Sequence, residues 1–169
     1  MPTRLPAGPV SGRSCGTCGA CCKVFDIFEL RKPAGACCLY WSQEKCCEIH
    51  DDRPRECRSF RCSWLRGYGA EQDRPDLSKV VIDTVPHLPP DAPDLIVRIA
   101  EVGVGGFQQE YAQRLVRSFI ENGFFVLAMH LGGLREVLGP AGRPIPTDVL
   151  VRAKAMGMIN PRQARRSAQ

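Results

Sequence analysis

The residues with the clearest chemistry in this chain are its thiols. There are ten cysteines in 169 residues: Cys15, Cys18, Cys21, Cys22, Cys37, Cys38, Cys46, Cys47, Cys57 and Cys62, with none after Cys62. A scattered disulfide framework does not predict such segregation, whereas a local binding site does. The densest stretch is Cys15-Gly-Thr-Cys18-Gly-Ala-Cys21-Cys22. Thiols three residues apart let one loop wrap a metal centre, and Gly16 and Gly19 permit the tight, partly left-handed turns that wrapping needs. Three cysteines at i, i+3 and i+6 match the run that ligates a cubane cluster in bacterial ferredoxins. Zinc ribbons use two separated C-x-x-C knuckles instead. The unbroken run therefore favours an iron–sulfur cluster over zinc.

Adjacent cysteines pose a geometric question. Neighbouring side chains diverge, so the pairs Cys21-Cys22, Cys37-Cys38 and Cys46-Cys47 either feed two centres or each include one spare thiol. Eight ligands suit two four-thiolate centres, and four suit one. Arg53, Arg55, Arg58 and Arg61 are interleaved with Cys57 and Cys62. Fixed guanidinium charges offset anionic metal thiolates and donate N–H bonds to sulfur. We read these arginines as charge compensation rather than as a nucleic-acid surface. Pro54 rigidifies the turn that presents Cys57. His50 reads as a hydrogen-bonded structural histidine, His87 and His130 as ordinary residues, and Trp41 and Trp64 as packing for the cysteine segment.

In combination, Cys-x-x-Cys-x-x-Cys-Cys, then Cys47-x-Ile, then Arg53-Pro54-x-x-Cys57-Arg58-x-Phe60-x-Cys62, resembles the YkgJ-type cysteine-cluster family, described as a zinc- or iron-chelating CxxCxxCC domain. The resemblance covers about residues 15–64. It implies eight ligand cysteines, at Cys15, Cys18, Cys21, Cys22, Cys38, Cys47, Cys57 and Cys62, with Arg53, Pro54, Arg58 and Phe60 as framework. His50 departs from the tyrosine frequent in the family, and Cys37 and Cys46 are additional. As extra thiols these two read as small buried hydrophobes. A flagellin lysine methylase is similar in its cysteine region, which keeps an enzymatic reading in view.

The formal net charge is +5 with histidine neutral. A tetrathiolate zinc site carries about −2 by formal counting, because each ligand loses its proton, so the basic balance says little about partners. Residues 1–14 lack the apolar core of a signal peptide, and no apolar run reaches the roughly 18 residues of a membrane helix. The expectation is a cytoplasmic protein without a membrane partner, in a compartment where thiols stay reduced.

The elements that must position the thiols are sparse. Residues 1–14 read as a flexible arm and 15–66 as a small, irregular cysteine-cluster domain. That domain has too little core to fold without metal. A short helix or strand is expected over 26–32, ended by Pro33-Ala-Gly. Residues 67–78 read as a connection. Beyond them, 67–169 reads as a small α+β layer with a frayed basic tail at 162–169. Strands are expected at 79–85, 95–102 and 124–130, a stiff loop at 87–94, and a helix at 107–121 with Tyr111, Leu115, Phe119 and Ile120 as its apolar stripe. Asn122-Gly123 stops that helix. Thr147 caps a last short helix through Met156, with Asp148 near its positive end.

One other motif is chemical. Ile99-Ala-Glu101-Val-Gly103-Val-Gly105-Gly106, between a strand and a helix, resembles the first motif of S-adenosylmethionine methyltransferases. The chain after it is too short for the rest of a doubly wound sheet, and a tight turn explains the same glycines. The leading expectation is a metal-binding protein in electron transfer or metal handling, carrying a four-iron four-sulfur cluster or zinc. An electron-transfer or other protein partner would accompany it. The alternatives are a cluster-containing methyl-transferring or redox enzyme, and a zinc-stapled interaction module.

Overall fold

A computed structural model describes residues 9–84, 96–147 and 151. The expected loop at 87–94 with His87, nearly all of the expected last helix, and the basic tail lie outside the described residues.

The cysteine-bearing segment is built from short pieces held by turns. Gly19 sits in the left-handed region at φ 55 and redirects the chain into helix α1, Ala20–Val24. The expected helix-or-strand at 26–32 is a 3₁₀ turn at Phe28–Leu30, enclosed by a bridge between Ile27 and Lys32. Strands β1, Trp41–Ser42, and β2, Cys46–Cys47, form a minimal antiparallel pair with Trp41 opposite Cys47. Pro54 leads into helix α2, Arg55–Ser59.

The region expected to be a plain connection carries a 3₁₀ turn at Glu71–Asp73 and helix α3, Pro75–Ser78. Proline fits there because the first helical position has no intrahelical use for an N–H. The sequence pattern missed both pieces because one turn shows no periodicity.

The second part is a four-stranded mixed sheet in the order β3-β4-β5-β6. Strands β3, Val80–Thr84, and β4, Ile96–Glu101, are antiparallel, with Val81 opposite Ala100. Strand β5, Phe125–Met129, runs parallel to β4, with Ile96 paired to Phe125. A parallel neighbour requires a crossover, and helix α4, Glu110–Glu121, provides it. Strand β6, Arg135–Leu138, closes the sheet antiparallel to β5. No strand was expected at β6. All four of its residues are only half-buried, so it lacks the apolar run that marks β4 and β5. The mixture of helices and strands is the α+β class expected.

The helix expected from residue 107 begins instead at Glu110, after a 3₁₀ turn at Gly106–Gln108. Its buried residues are Ala112, Leu115 and Phe119. Tyr111 and Ile120 flank them, half-buried. Asn122 is its C-cap and Gly123, at φ 86, turns the chain.

Both faces of the sheet are covered, which is why β4 and β5 read as continuous apolar runs. One face, with Val80, Ile82, Val97, Ile99 and Val126, packs on Ala112, Leu115 and Phe119 of α4. The other face presents Val81, Ile96, Ala100, Phe125, Leu127 and Met129. Against it lie Cys18, Ala20, Val24, Cys62, Trp64 and Leu65 from the cysteine-bearing segment. The period-two alternation of a strand thus sends each strand's odd and even side chains to two different cores. The cysteine segment is the outer layer of one of them. A backbone bond from the Ser63 N–H to the Ile82 carbonyl, 2.8 Å, ties the segment to the edge of β3. On the same face Arg98 bonds Asp83 at 2.5 Å and lies 4.3 Å over the ring of Phe25. From residues 9–14, Val10 donates to the Leu65 carbonyl at 2.9 Å, and Arg13 donates to the carbonyls of Trp64, Tyr68 and Gly69.

Candidate metal centre

The loop from Cys15 to Cys22 folds as a turn followed by helix α1. The Cys18 N–H donates to the Cys15 carbonyl at 2.9 Å, and Gly16 and Gly19 both take positive φ, at 45 and 55. Cys18 is thereby carried into the core, where it meets Cys62. Cys21 and Cys22 follow one another on α1. Successive helical residues point about 100° apart, yet the two thiols are hydrogen-bonded to each other. Cys21 also stands near Cys15 and Cys18, and Cys22 near Lys32 and Arg53.

Cys38 is reached from the other side. Its N–H donates to the Cys22 carbonyl at 2.9 Å, and its own carbonyl accepts from Trp41 at 3.2 Å. Trp41 in turn pairs with Cys47 across the β1–β2 ladder. Cys57 rides on α2. That helix is pinned to the Phe28–Leu30 turn by Glu56, whose carboxylate accepts from the Phe28 N–H at 2.9 Å. Cys57 lies near Cys22, Cys38 and Cys47. The eight cysteines singled out from the sequence are therefore drawn from dispersed positions into one region.

Neither of the two additional cysteines is buried. Cys37 is exposed, although it was expected to be a small buried hydrophobe, while its neighbour Cys38 is buried. Cys46 is half-buried and adopts a left-handed backbone at φ 59 to turn the β1–β2 hairpin. His50 contacts the exposed carboxylate of Asp51 at 3.4 Å.

Several backbone N–H groups aim at sulfur: those of Ala20 and Asp76 at Cys18, of Ile49 at Cys47, and of Trp64 and Leu65 at Cys62. Such bonds favour a thiolate and tune metal–sulfur centres. Burial nonetheless dominates. It pushes the Cys18 thiol up to about 11 and raises Cys15, Cys47, Cys57 and Cys62 as well. Between the adjacent pair, a hydrogen bond stabilises ionised Cys22 and lowers its pKa, while the same bond, burial and the nearby thiols raise Cys21.

Positive charge stands among the thiols through two of the four arginines the sequence suggested, Arg53 and Arg61, and through Lys32. Arg53 acts on Cys15, Cys22, Cys47 and Cys57, and Arg61 on Cys15. Lys32 is 8% exposed and lies near Cys22 and Cys38, with its ammonium donating to the carbonyls of Phe25 and Pro33. Burial lowers its pKa, and the thiols oppose that shift. Nothing in the order Glu-Leu-Arg-Lys marks Lys32 as buried beside thiols. Asp76 was equally unmarked. It bonds Cys18 and forms a two-pronged pair with Arg74 at 2.7 and 2.8 Å.

Among the described residues, no group of three or more His, Cys, Asp or Glu side chains stands as a set that could hold a metal ion. In type, however, the donors suit a thiophilic metal. They are thiols that are desolvated, supplied with N–H donors, and mutually repulsive once ionised. The Nε of Arg53 is buried without a hydrogen-bond partner among the described residues. An unmet buried donor costs about 1–3 kcal/mol, and a thiolate or bridging sulfide nearby would satisfy it. A cleft of about 240 Å³ opens beside Cys37 and Cys38, lined also by Leu30, Lys32, Pro33 and Tyr40.

The glycine motif has a packing account. A Cβ on Gly106 would stand 2.5 Å from the Lys79 carbonyl oxygen, and one on Gly103 would stand 3.2 Å from the Lys79 side chain. Glu101 turns inward and accepts N–H bonds from Leu131 at 3.0 Å and Phe107 at 3.4 Å.

Comparison with protein-family models, with curated proteins and with solved structures gives no match in any of the three. Among the described residues, no helix is long and apolar enough to cross a membrane.

Proposed function

We propose that this chain is a thiolate metal-binding protein of the YkgJ type, serving electron transfer or metal handling in the cytoplasm with a protein partner. Its ligands are Cys15, Cys18, Cys21, Cys22, Cys38, Cys47, Cys57 and Cys62. The observation that carries the reading is the position of Arg53. Its charge reaches four of these thiols, and its Nε is buried and unpartnered beside them. An iron–sulfur cluster, once bound, supplies one-electron chemistry, and zinc supplies structural cross-linking. The chain's own part is to desolvate the thiols, offer N–H bonds to sulfur and balance the thiolate charge with Arg53 and Lys32. The continuous Cys15-Cys18-Cys21 spacing favours a four-iron four-sulfur cluster over zinc.

Anaerobic purification with visible spectroscopy and metal analysis tests this. A brown protein with iron and acid-labile sulfide in equal amounts supports the cluster. Colourless protein with stoichiometric zinc moves the chain to a zinc-stapled module. Protein free of both metals overturns the proposal.

A further inference from the structure

We infer that the cleft beside Cys38 is a docking site for an acidic protein partner, which seats an apolar side chain in the groove and sets the carboxylates flanking it against Arg31. The inference rests on the reading above for the partner's purpose, not for its binding.

The cleft of about 240 Å³ is lined by the apolar groups of Leu30, Pro33, Ala36, Leu39 and Tyr40. That volume is below the roughly 300–1,000 Å³ of a site that encloses a small molecule, and it suits a protruding side chain. Leu39 is 95% exposed and Tyr40 is 43% exposed. A single exposed leucine is ordinary on a protein surface, whereas exposed apolar groups continuous with a concave site mark an interaction surface.

The lining holds two cations, Arg31 and Lys32, and no carboxylate. Lys32 is committed. Its ammonium donates to the Phe25 and Pro33 carbonyls, and Asp26 answers its charge. Nearby acids are engaged elsewhere. Glu29 accepts from the Glu56 N–H at 3.4 Å, and Glu48 pairs with Lys45 at 4.0 Å. Arg31 is exposed and forms no ion pair among the described residues. It is the cation left open to a partner.

The walls are held by the chain itself. The Arg31 N–H bonds the Phe28 carbonyl at 2.9 Å, Ile27 bridges to Lys32, and the Gly35 N–H bonds the Val24 carbonyl at 2.9 Å. A preformed groove lowers the ordering cost of binding. An apolar groove beside one open cation complements an apolar side chain between carboxylates. A second copy of this chain fits poorly, because a twofold contact of this face with itself brings the two Arg31 charges together. A bilayer fits poorly too, because it takes up projecting apolar groups rather than the inside of a narrow cleft. Cys37 and Cys38 share the lining, so a partner seated here meets the thiol region at its edge. Electron-transfer encounters use interfaces below about 1,200 Å², and a small apolar anchor beside a charge is of that kind.

The test is fluorescence anisotropy of a labelled peptide, two leucines between pairs of glutamates, titrated with the full chain, with bound metal measured on the same sample. Binding that weakens as salt rises is expected. Arg31→Glu should weaken it about tenfold. Leu39→Ser should weaken it as well, and Val104→Ser, 96% exposed but outside the cleft, should leave it unchanged. No binding at submillimolar chain overturns the inference, as does binding that survives both Arg31→Glu and Leu39→Ser. Equal binding of a peptide with glutamine in place of the leucines is ion exchange alone and overturns the groove. A dimer in light scattering that Leu39→Ser dissolves gives the face to a second copy. Cosedimentation with phosphatidylserine vesicles that Leu39→Ser abolishes gives it to a bilayer. Either result overturns the acidic partner. Peptide binding by protein without metal leaves the docking site standing and removes the metal reading, and metal without peptide binding does the reverse.

Discussion

Gly19 lies against the indole of Trp41 so closely that a methyl group on it would overlap the ring. The contact holds the loop of residues 15–22 to the β1–β2 hairpin, and Lys23 closes over the same ring at 4.3 Å. Two demands meet at Gly19, a left-handed backbone and the absence of a side chain.

Gly19→Ala is therefore expected to destabilise the fold by about 3 kcal/mol. A left-handed backbone costs a non-glycine residue about 1–2 kcal/mol, and overpacking about 1–3 kcal/mol more. Urea denaturation of the protein measures it. A change below about 0.5 kcal/mol would mean that Trp41 moves aside freely.

Asp83 and Arg98 form an ion pair whose side chains are 9% and 16% exposed. Removing one partner of a buried pair leaves an uncompensated charge and costs about 3–5 kcal/mol. Asp83→Ala should fall in that range. The double variant Asp83→Leu/Arg98→Met should be more stable than Asp83→Ala alone. Equal loss in both would show that the pair does not act as a unit.

Cys37 and Cys38 are adjacent, but only Cys38 is buried and tied to Cys22. Cys37→Ser is expected to keep its metal, and Cys38→Ser to lose metal. Cys46→Ser should be nearly silent. Metal analysis of the three variants reads this directly, and metal loss from Cys37→Ser or Cys46→Ser would show the wrong member of the pair had been chosen.

Burial, and after it the charges of Asp73 and Tyr68, raise the Tyr111 phenol above its ordinary value of 10.0. Its folded pKa exceeds its unfolded one, so its contribution is fully present below about pH 10. It is lost as pH rises further, because the unfolded chain releases the proton first. Tyr111→Phe should reduce the fall in urea midpoint between pH 9 and pH 11 relative to the unaltered chain. Identical slopes would remove Tyr111 from the account.

Local pattern carried much of the second half. The stripe of Leu115 and Phe119 marked α4, and the β-branched run at Ile96–Glu101 marked β4, because each signal repeats within a few residues. Strand β6 was missed because its residues are half-buried and make no run. Lys32 and Asp76 were missed for another reason. Their proximity to thiols comes from contacts between distant segments, and a single charged residue looks the same in a loop wherever that loop packs.

The sequence alone determined that thiols are concentrated before residue 63, that Cys15, Cys18 and Cys21 recur at a three-residue interval, and that strands and one long helix follow. Tertiary structure decided that β4 and β5 run parallel, and that the free face of their sheet is covered by Val24, Trp64 and Leu65 from the cysteine segment. It also decided that Cys21 and Cys22, consecutive in the chain, share a side-chain hydrogen bond. Spacing along a chain records which residues can be close when the path between them is short. It does not record which face of a sheet a distant, aperiodic loop will bury, because that choice depends on the shape and apolar area of both surfaces at once.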